Sequence, residues 1–272
     1  MMQMKATVLV DNIPQGELKG EWGLSIFVEY GNVNLLLDTG ASGLFLENAK
    51  KLGKDIKSVH YAVLSHAHYD HSDGMRQFFE VNKKASFYLR EGSAENCYTK
   101  KWFLRKYIGL PKHILDEFSD RIVYSDGDFT LCPGVYLIPH KTPELWRVGK
   151  RNNMYLRKKT GWEPDDFSHE QSLVFDTEEG LVIFNSCSHA GADVVIREIM
   201  ATFPDKKIKS LIGGFHLFGK PEAEVRKLAG KIKETGIEEI YTGHCTGEKA
   251  YQILKEELGE KVHQLQVGLV IE

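Results

Sequence analysis

The sequence predicts an α/β protein of mixed β-sheets with helices packed outside them. Two patterns carry this reading. The first forty residues form a meander of β-rich runs punctuated by Gly, Pro and Asn, and the second half alternates apolar strand runs with helical ones. A third observation concerns chemistry. Ser65-His66-Ala67-His68-Tyr69-Asp70-His71 places three imidazoles and a carboxylate straight after the apolar run Tyr61-Ala62-Val63-Leu64.

In chain order, strands are predicted at Thr7 to Val10, Gly23 to Glu29 and Val33 to Leu37. Helical spacing over Leu44 to Leu52 ends at Gly53. Val59 to Leu64 is the strand before the histidines, Asp73 to Phe79 a short helix with Asp73 as N-cap, and Ala85 to Leu89 a further strand. Glu95 to Phe118 reads as helical, aromatic and basic. Strands return at Arg121 to Tyr124, Phe129 to Leu131 and Val135 to Ile138, and Lys141 to His169 reads as a long loop. Then follow strands Ser172 to Asp176 and Leu181 to Phe184, helix Ala192 to Thr202, strand Ile208 to Ile212 and helix Glu222 to Glu234. Strand Glu239 to Tyr241, helix Glu248 to Leu258 and strand Val262 to Leu265 complete the chain.

Composition bounds the function. An apolar share of 42% and a charged share of 27% are ordinary for a soluble globular protein of 272 residues. A net charge of -3 gives no global reason to expect nucleic acid or an anionic membrane as partner. No apolar run approaches a membrane span, and Met1 to Asn12 has no signal-peptide pattern. Cys97, Cys132, Cys187 and Cys245 are too scattered for a disulfide framework, so a reducing, cytoplasmic setting is expected.

Alternation along a strand would deliver His66 and His68 to one side, and the following turn would aim Asp70 and His71 at a neighbouring point. That suits two metal ions, one on each pair. Asp38, ending the run Leu35-Leu36-Leu37, is placed to accept the free N–H of a ligand histidine.

The heptapeptide is an H-x-H-x-D-H signature. Together with Asn34-Leu35-Leu36-Leu37-Asp38-Thr39-Gly40 and Tyr241-Thr242-Gly243-His244-Cys245-Thr246-Gly247, it resembles the metallo-β-lactamase superfamily over nearly the whole chain. Ser186-Cys187-Ser188-His189-Ala190-Gly191 and Gly213-Gly214-Phe215-His216-Leu217 are similar to the branch of dihydropterin synthase-like enzymes associated with methanopterin biosynthesis. The resemblance implies a four-layer αβ/βα sandwich of two mixed sheets with helices outside and metals at one edge. It implies a single domain over 1–272, with insertions at about 95–118 and 141–169.

It also implies a ligand set. His189, which follows the strand Leu181 to Phe184, would join His66 and His68. His140 competes for that place, because Pro139-His140-Lys141-Thr142-Pro143 echoes the family's P-G-H-T-P without its glycine. His244 would join Asp70 and His71. The aspartate with which many members bridge the metals has no counterpart near Asn185-Ser186-Cys187, which leaves Cys187 as a candidate thiolate ligand. The expected cofactor is a divalent metal, zinc foremost, as one or two ions, with manganese and iron as alternatives.

Asp70 would orient the nucleophile, and His216 would contact substrate or donate a proton. Lys100 to Tyr107 and Arg147 to Lys159 are basic and carry aromatic residues, so Arg105 and Arg151 are candidates to hold an anionic, ring-bearing small molecule. Nucleases occur in the superfamily, but the acidic balance argues against nucleic acid. The expected function is a metal-dependent hydrolase using metal-activated hydroxide on a small anionic or phosphorylated substrate. The alternatives are a dihydropterin-type synthase that displaces pyrophosphate and a non-catalytic metal- or ligand-binding protein.

Overall fold

A computed structural model describes residues 3–272. Met4–Val10, Ser25–Tyr30 and Val33–Leu37 are β-rich runs that fold as an antiparallel meander, with Val28 opposite both Ala6 and Leu35. The sheet then continues in parallel through Tyr61–Val63, Ser86–Arg90 and Ile122–Ser125, and Val270–Ile271 closes its other edge. A second seven-stranded sheet runs Val262–Gln264, Glu239–Thr242, Ile208–Gly214, Gly180–Cys187, Gln171–Thr177, Val135–Pro139, Phe129–Cys132. Its first four strands are parallel and the rest antiparallel.

Alternation along the strands supplies each sheet with two apolar faces. Ala6, Val8, Ile26, Val28, Leu35 and Val63 meet Leu137, Leu173, Phe175, Val182, Phe184 and Ile212 between the sheets. Leu9, Phe27, Leu36 and Ala62 face the other way, against Phe45 and Ala49 of helix Leu44–Lys51 and Phe78 and Phe79 of helix Met75–Val81. Ile183 and Leu211 likewise pack on helices Ala192–Thr202, Glu222–Glu234 and Glu248–Leu258. The result is the expected helix–sheet–sheet–helix sandwich. Each fully buried Leu, Ile or Phe contributes roughly 1.5–3 kcal/mol, so these three layers of packing hold the strand ends that carry the site.

The two insertions differ from expectation. Residues 95–118 are not helical but a hairpin, Cys97–Lys101 and Leu104–Tyr107, with one helical turn at Ile114–Glu117. The stretch 141–169 is not a loop but helix Trp146–Arg151 and a second hairpin, Met154–Lys158 and Gly161–Pro164. The hairpins pair with each other, Tyr155 opposite Tyr98, in one four-stranded sheet. Tyr98 sits edge-on to Tyr107 at 5.2 Å and to Trp162 at 4.9 Å. The contact with Trp162 and the pairing with Tyr155 come from a sequence-distant segment, and they override local helical spacing. Asp73 is not an N-cap either: it follows the short helix Tyr69–Ser72, and Gly74 precedes Met75–Val81.

Candidate metal centre

The parallel strands of both sheets bring their carboxyl ends to one edge, where αβ proteins bind ligands. From the first sheet come Asp38, after Val33–Leu37, and Ser65 to His71, after Tyr61–Val63. From the second come Cys187 and His189 after Gly180–Cys187, His216 after Ile208–Gly214 and His244 after Glu239–Thr242. His66 and His68 share a side for a different reason from strand alternation. The strand stops at Val63, and a tight turn closed by His68 N–H on the His66 carbonyl, at 3.0 Å, brings the rings together. His189 repeats the device, its N–H on the Cys187 carbonyl at 2.7 Å.

Two groups of ligand-type atoms result. One nitrogen each from His66, His68 and His189 lies within 4.8 Å of the others, and so do ligand atoms of Asp70, His71 and His244. Four of the five Nδ1 atoms are bound outward. His66 Nδ1 meets Ser65 Oγ at 2.9 Å, His71 Nδ1–H donates to Asp38 Oδ2 at 2.8 Å and His189 Nδ1–H to Glu170 Oε2 at 2.6 Å. His244 Nδ1–H faces Asn12 Oδ1 at 3.3 Å. Carboxylate, amide and hydroxyl partners thereby fix tautomers that leave Nε2 bare. Asp38 takes φ 57°, a left-handed conformation for a non-glycine residue, and also accepts Ser65 N–H and Oγ–H at 2.7 Å each.

The residues fit a divalent metal. His66 Nε2 and His68 Nε2 are buried without a hydrogen-bond partner. His71 Nε2 and His244 Nε2 face each other at 3.2 Å, so a proton or a metal ion has to stand between their lone pairs. Zn–N bonds of about 2.0–2.1 Å in a tetrahedron put two nitrogens roughly 3.3 Å apart, close to that spacing. Asp70 Oδ2 lies 3.5 Å from His244 Nε2 and 3.9 Å from His71 Nε2. Burial, reinforced by neighbouring imidazoles, pushes the His66 and His68 pKa values well down, which keeps them neutral and able to ligate. Burial alone would raise the Asp70 carboxyl, but His71 and His244 hold it well below the usual carboxylate range.

His140 stands one step back. Its Nε2 meets Glu170 Oε1 at 2.9 Å and its Nδ1 meets Glu198 Oε2 at 2.8 Å, so neither nitrogen is free. Burial pulls the imidazolium down, yet Glu170 and Glu198 outweigh it and raise its pKa to about 10. Glu198, His140 and Glu170 form a line of alternating charges, and Glu170 at its end accepts the Nδ1–H of His189, the third imidazole of the first group. Glu170 is only a weaker candidate in the sequence, where its signal is the pair His169-Glu170 before a strand. Asn12 and Trp22 escaped sequence reading altogether. Trp22 Nε1–H donates to Asp70 Oδ2 at 3.0 Å, and its ring lies 5.3 Å from that of His244.

Two cavities flank the segment His216-Leu217-Phe218. One, of about 380 Å³, is lined by His189 and His216 together with Arg151, Lys220, Lys227 and Lys231. The other, of about 210 Å³, is lined by His244, Trp22, Phe218 and Tyr251. His216 has φ 51° and its ring is 4.7 Å from that of His189. Arg151 therefore reaches the cleft. Arg105 does not line it: its guanidinium lies on the small sheet, 4.4 Å from the Trp162 ring.

A four-layer sandwich gathering five imidazoles and a carboxylate at the carboxyl ends of its parallel strands is the architecture of an αβ/βα metal-binding enzyme fold. The chain belongs to the metallo-beta-lactamase superfamily, whose family model matches residues 23–197. The crystal structure of Tm1679, a metal-dependent hydrolase of the beta-lactamase superfamily, is 30% identical, superposes with a TM-score of 0.84 and covers 99% of both chains. The 7,8-dihydropterin-6-methyl-4-(beta-D-ribofuranosyl)-aminobenzene-5'-phosphate synthase of Methanocaldococcus jannaschii is 28% identical over 92% of this chain and 89% of its own. Zinc-bound PqqB from Methylobacterium extorquens, 13% identical with a TM-score of 0.56 over 98% of this chain and 99% of its own, shares the fold. No helix among the described residues is long and apolar enough to cross a membrane.

Proposed function

We propose that this chain is a metal-dependent hydrolase of a small, phosphorylated substrate. The observation that carries the reading is the cleft opening onto His189 and His216, where Arg151, Lys220, Lys227 and Lys231 outnumber Asp193 and Glu224, beside the two groups of ligand-type atoms. His66, His68 and His189 would hold one ion, and Asp70, His71 and His244 a second. Bound divalent ions, zinc foremost, supply hydroxide at neutral pH and neutralise charge on the substrate.

The chain's own residues do the rest. Arg151 and the lysines bind and orient the anionic group by charge-assisted contacts. Trp22 N–H holds one Asp70 oxygen, so the carboxylate keeps one orientation beside His244 while it positions the nucleophile. His216, presented by its left-handed backbone at the mouth of the cleft, donates a proton to the leaving oxygen or a hydrogen bond to the developing oxyanion. Asp38, Glu170 and Asn12 hold the imidazoles in the required tautomers.

A second reading is favoured by the second cavity. Trp22, Phe218 and Tyr251 offer ring faces on the far side of His216, which suits a planar second substrate, as in a synthase that displaces pyrophosphate. The 28%-identical relative named as a synthase supports the same alternative. A panel of phosphomonoesters, phosphodiesters and diphosphates, with lactones and thioesters as controls, separates the readings. Hydrolysis of a single phosphorylated compound supports the hydrolase. Turnover that needs two organic substrates together, with neither hydrolysed alone, supports the synthase. No turnover in a metal-loaded sample removes both.

A further inference from the structure

The hairpin Cys97–Lys101 and Leu104–Tyr107 lines neither cavity beside His216, so the basic, aromatic character of its sequence has no use in the cleft. Its tip is apolar and open. Trp102 and Phe103, 82% and 80% exposed, are the most exposed large apolar side chains among the described residues, and Leu104 beside them is 66% exposed. Lys101 pairs with Leu104, so Trp102 and Phe103 are the turn itself. Trp102 holds φ 59°, a conformation for which two-residue hairpin turns favour glycine or asparagine. Tryptophan strains that turn, and its exposed ring adds no packing to the fold.

Charge surrounds the tip. Lys100, Lys101, Arg105 and Lys106 flank it, and the sequence has no acidic residue from Asn96 to Leu115. None of these four cations forms an ion pair among the described residues. The chain as a whole carries a net charge of -3, so attraction to an anionic surface is a property of this patch and not of the whole molecule.

Three kinds of partner suit aromatic residues among cations, and the geometry separates them. A nucleic acid would stack its bases on open ring faces, but Arg105 lies over the Trp162 ring at 4.4 Å, and the tip adds the aliphatic Leu104. A second copy meeting this tip across a two-fold axis would bring like cations together. A bilayer with anionic lipids matches both features. Aromatic and aliphatic side chains enter the boundary between headgroups and acyl chains, while lysine and arginine stay at the phosphates. We propose that Trp102, Phe103 and Leu104 dock the protein on an anionic phospholipid surface, with Lys100, Lys101, Arg105 and Lys106 meeting the headgroups. The base of the hairpin is tied to the metal edge, where the Ile108 carbonyl accepts the Tyr69 N–H at 2.9 Å, so a docked tip sets how that edge faces the bilayer. This docking depends neither on metal nor on hydrolysis.

The test is co-sedimentation of the full-length protein with vesicles of phosphatidylcholine and phosphatidylglycerol in equal parts, beside vesicles of phosphatidylcholine alone. The wild type should pellet with the mixed vesicles and far less with the neutral ones. It should be released as added salt shortens the Debye length from about 10 Å to about 3 Å. The double variant Trp102→Ser, Phe103→Ser should bind the mixed vesicles roughly tenfold more weakly or worse, since burying one large apolar side chain is worth about that factor. Its melting temperature and metal content should match the wild type. Tryptophan fluorescence should shift to the blue on binding, and Trp102→Phe should lose most of that shift while still binding. Wild-type protein that stays in the supernatant with the mixed vesicles would overturn the proposal, and this result decides even if a variant fails to fold. Equal binding by the wild type and a folded double variant would overturn it as well. Binding of a single-stranded oligonucleotide, or self-association in sedimentation velocity, with no vesicle binding would give the tip another partner and likewise overturn it.

Discussion

Replacing His140 with Gln separates a ligand from the residue that supports one. The His140 imidazolium is buried between Glu170 Oε1 at 2.9 Å and Glu198 Oε2 at 2.8 Å. Glu198 keeps Lys141 N–H, Thr142 N–H and Thr142 Oγ–H, but Glu170, fully buried, retains only the His189 Nδ1–H of its two imidazole partners. Removing one partner from a buried ionic network costs about 3–5 kcal/mol, because a charge is left without compensation. The direction agrees: burial opposes the imidazolium, yet Glu170 and Glu198 outweigh it and raise the His140 pKa to about 10. For a protein this size a loss of about 3–5 kcal/mol lowers the melting temperature by on the order of 10 °C.

The pH dependence has a definite sign. A histidine whose folded pKa lies above its unfolded one contributes stability that is complete below about pH 6.5 and is lost as pH rises through about 10. Denaturation of metal-stripped protein should therefore show the His140→Gln deficit in full near pH 6 and mostly gone above pH 10. Elemental analysis of the same variant should show wild-type metal content, whereas His189→Gln should lose metal. A deficit that is flat from pH 6 to 10.5, or metal loss in His140→Gln equal to that in His189→Gln, would refute the reasoning.

Other expectations follow from the same contacts. His66→Ala and His68→Ala should each cut metal content sharply, and wild-type content in both would remove the first group of ligands. Arg151→Ala should weaken binding of a phosphorylated ligand roughly tenfold to a hundredfold, the worth of one charge-assisted contact, with metal content intact; calorimetry measures it. Trp22→Phe keeps a ring on His244 but deletes the N–H that holds Asp70, so kcat/KM should fall by a similar factor without loss of fold, as steady-state kinetics will show. Gly214→Ala drives a Cβ to 2.4 Å from Cys245 Sγ and should destabilise by about 1–3 kcal/mol in urea titration.

Much of this molecule was legible in its sequence because local patterns and tertiary packing agree. Helices Ala192–Thr202, Glu222–Glu234 and Glu248–Leu258 begin and end where their spacing predicts. The strands carrying the site were found within a few residues, since each is a short apolar run ending in a polar, chemistry-bearing turn. What failed was pairing at long range. Nothing in the sequence around Tyr98 shows that it will meet Tyr155 across a strand ladder, so both insertions were misread. The supporting residues were hidden for a similar reason. Glu170 and Asn12 reach their histidines across 19 and 232 positions, and Trp22 reaches Asp70 across 48. Only the assembled sheets bring them together.

The central claim is that two groups of imidazoles hold metal that drives hydrolysis of a phosphorylated substrate in the cationic cleft. Titrating zinc or manganese into chelator-stripped protein, while following hydrolysis of an aromatic phosphoester from the panel, tests it most directly. Turnover should be absent without metal, recover on addition and reach a plateau near two equivalents of ion per chain. Turnover that survives complete metal removal, or none at all in a sample shown to carry two ions, would contradict the claim.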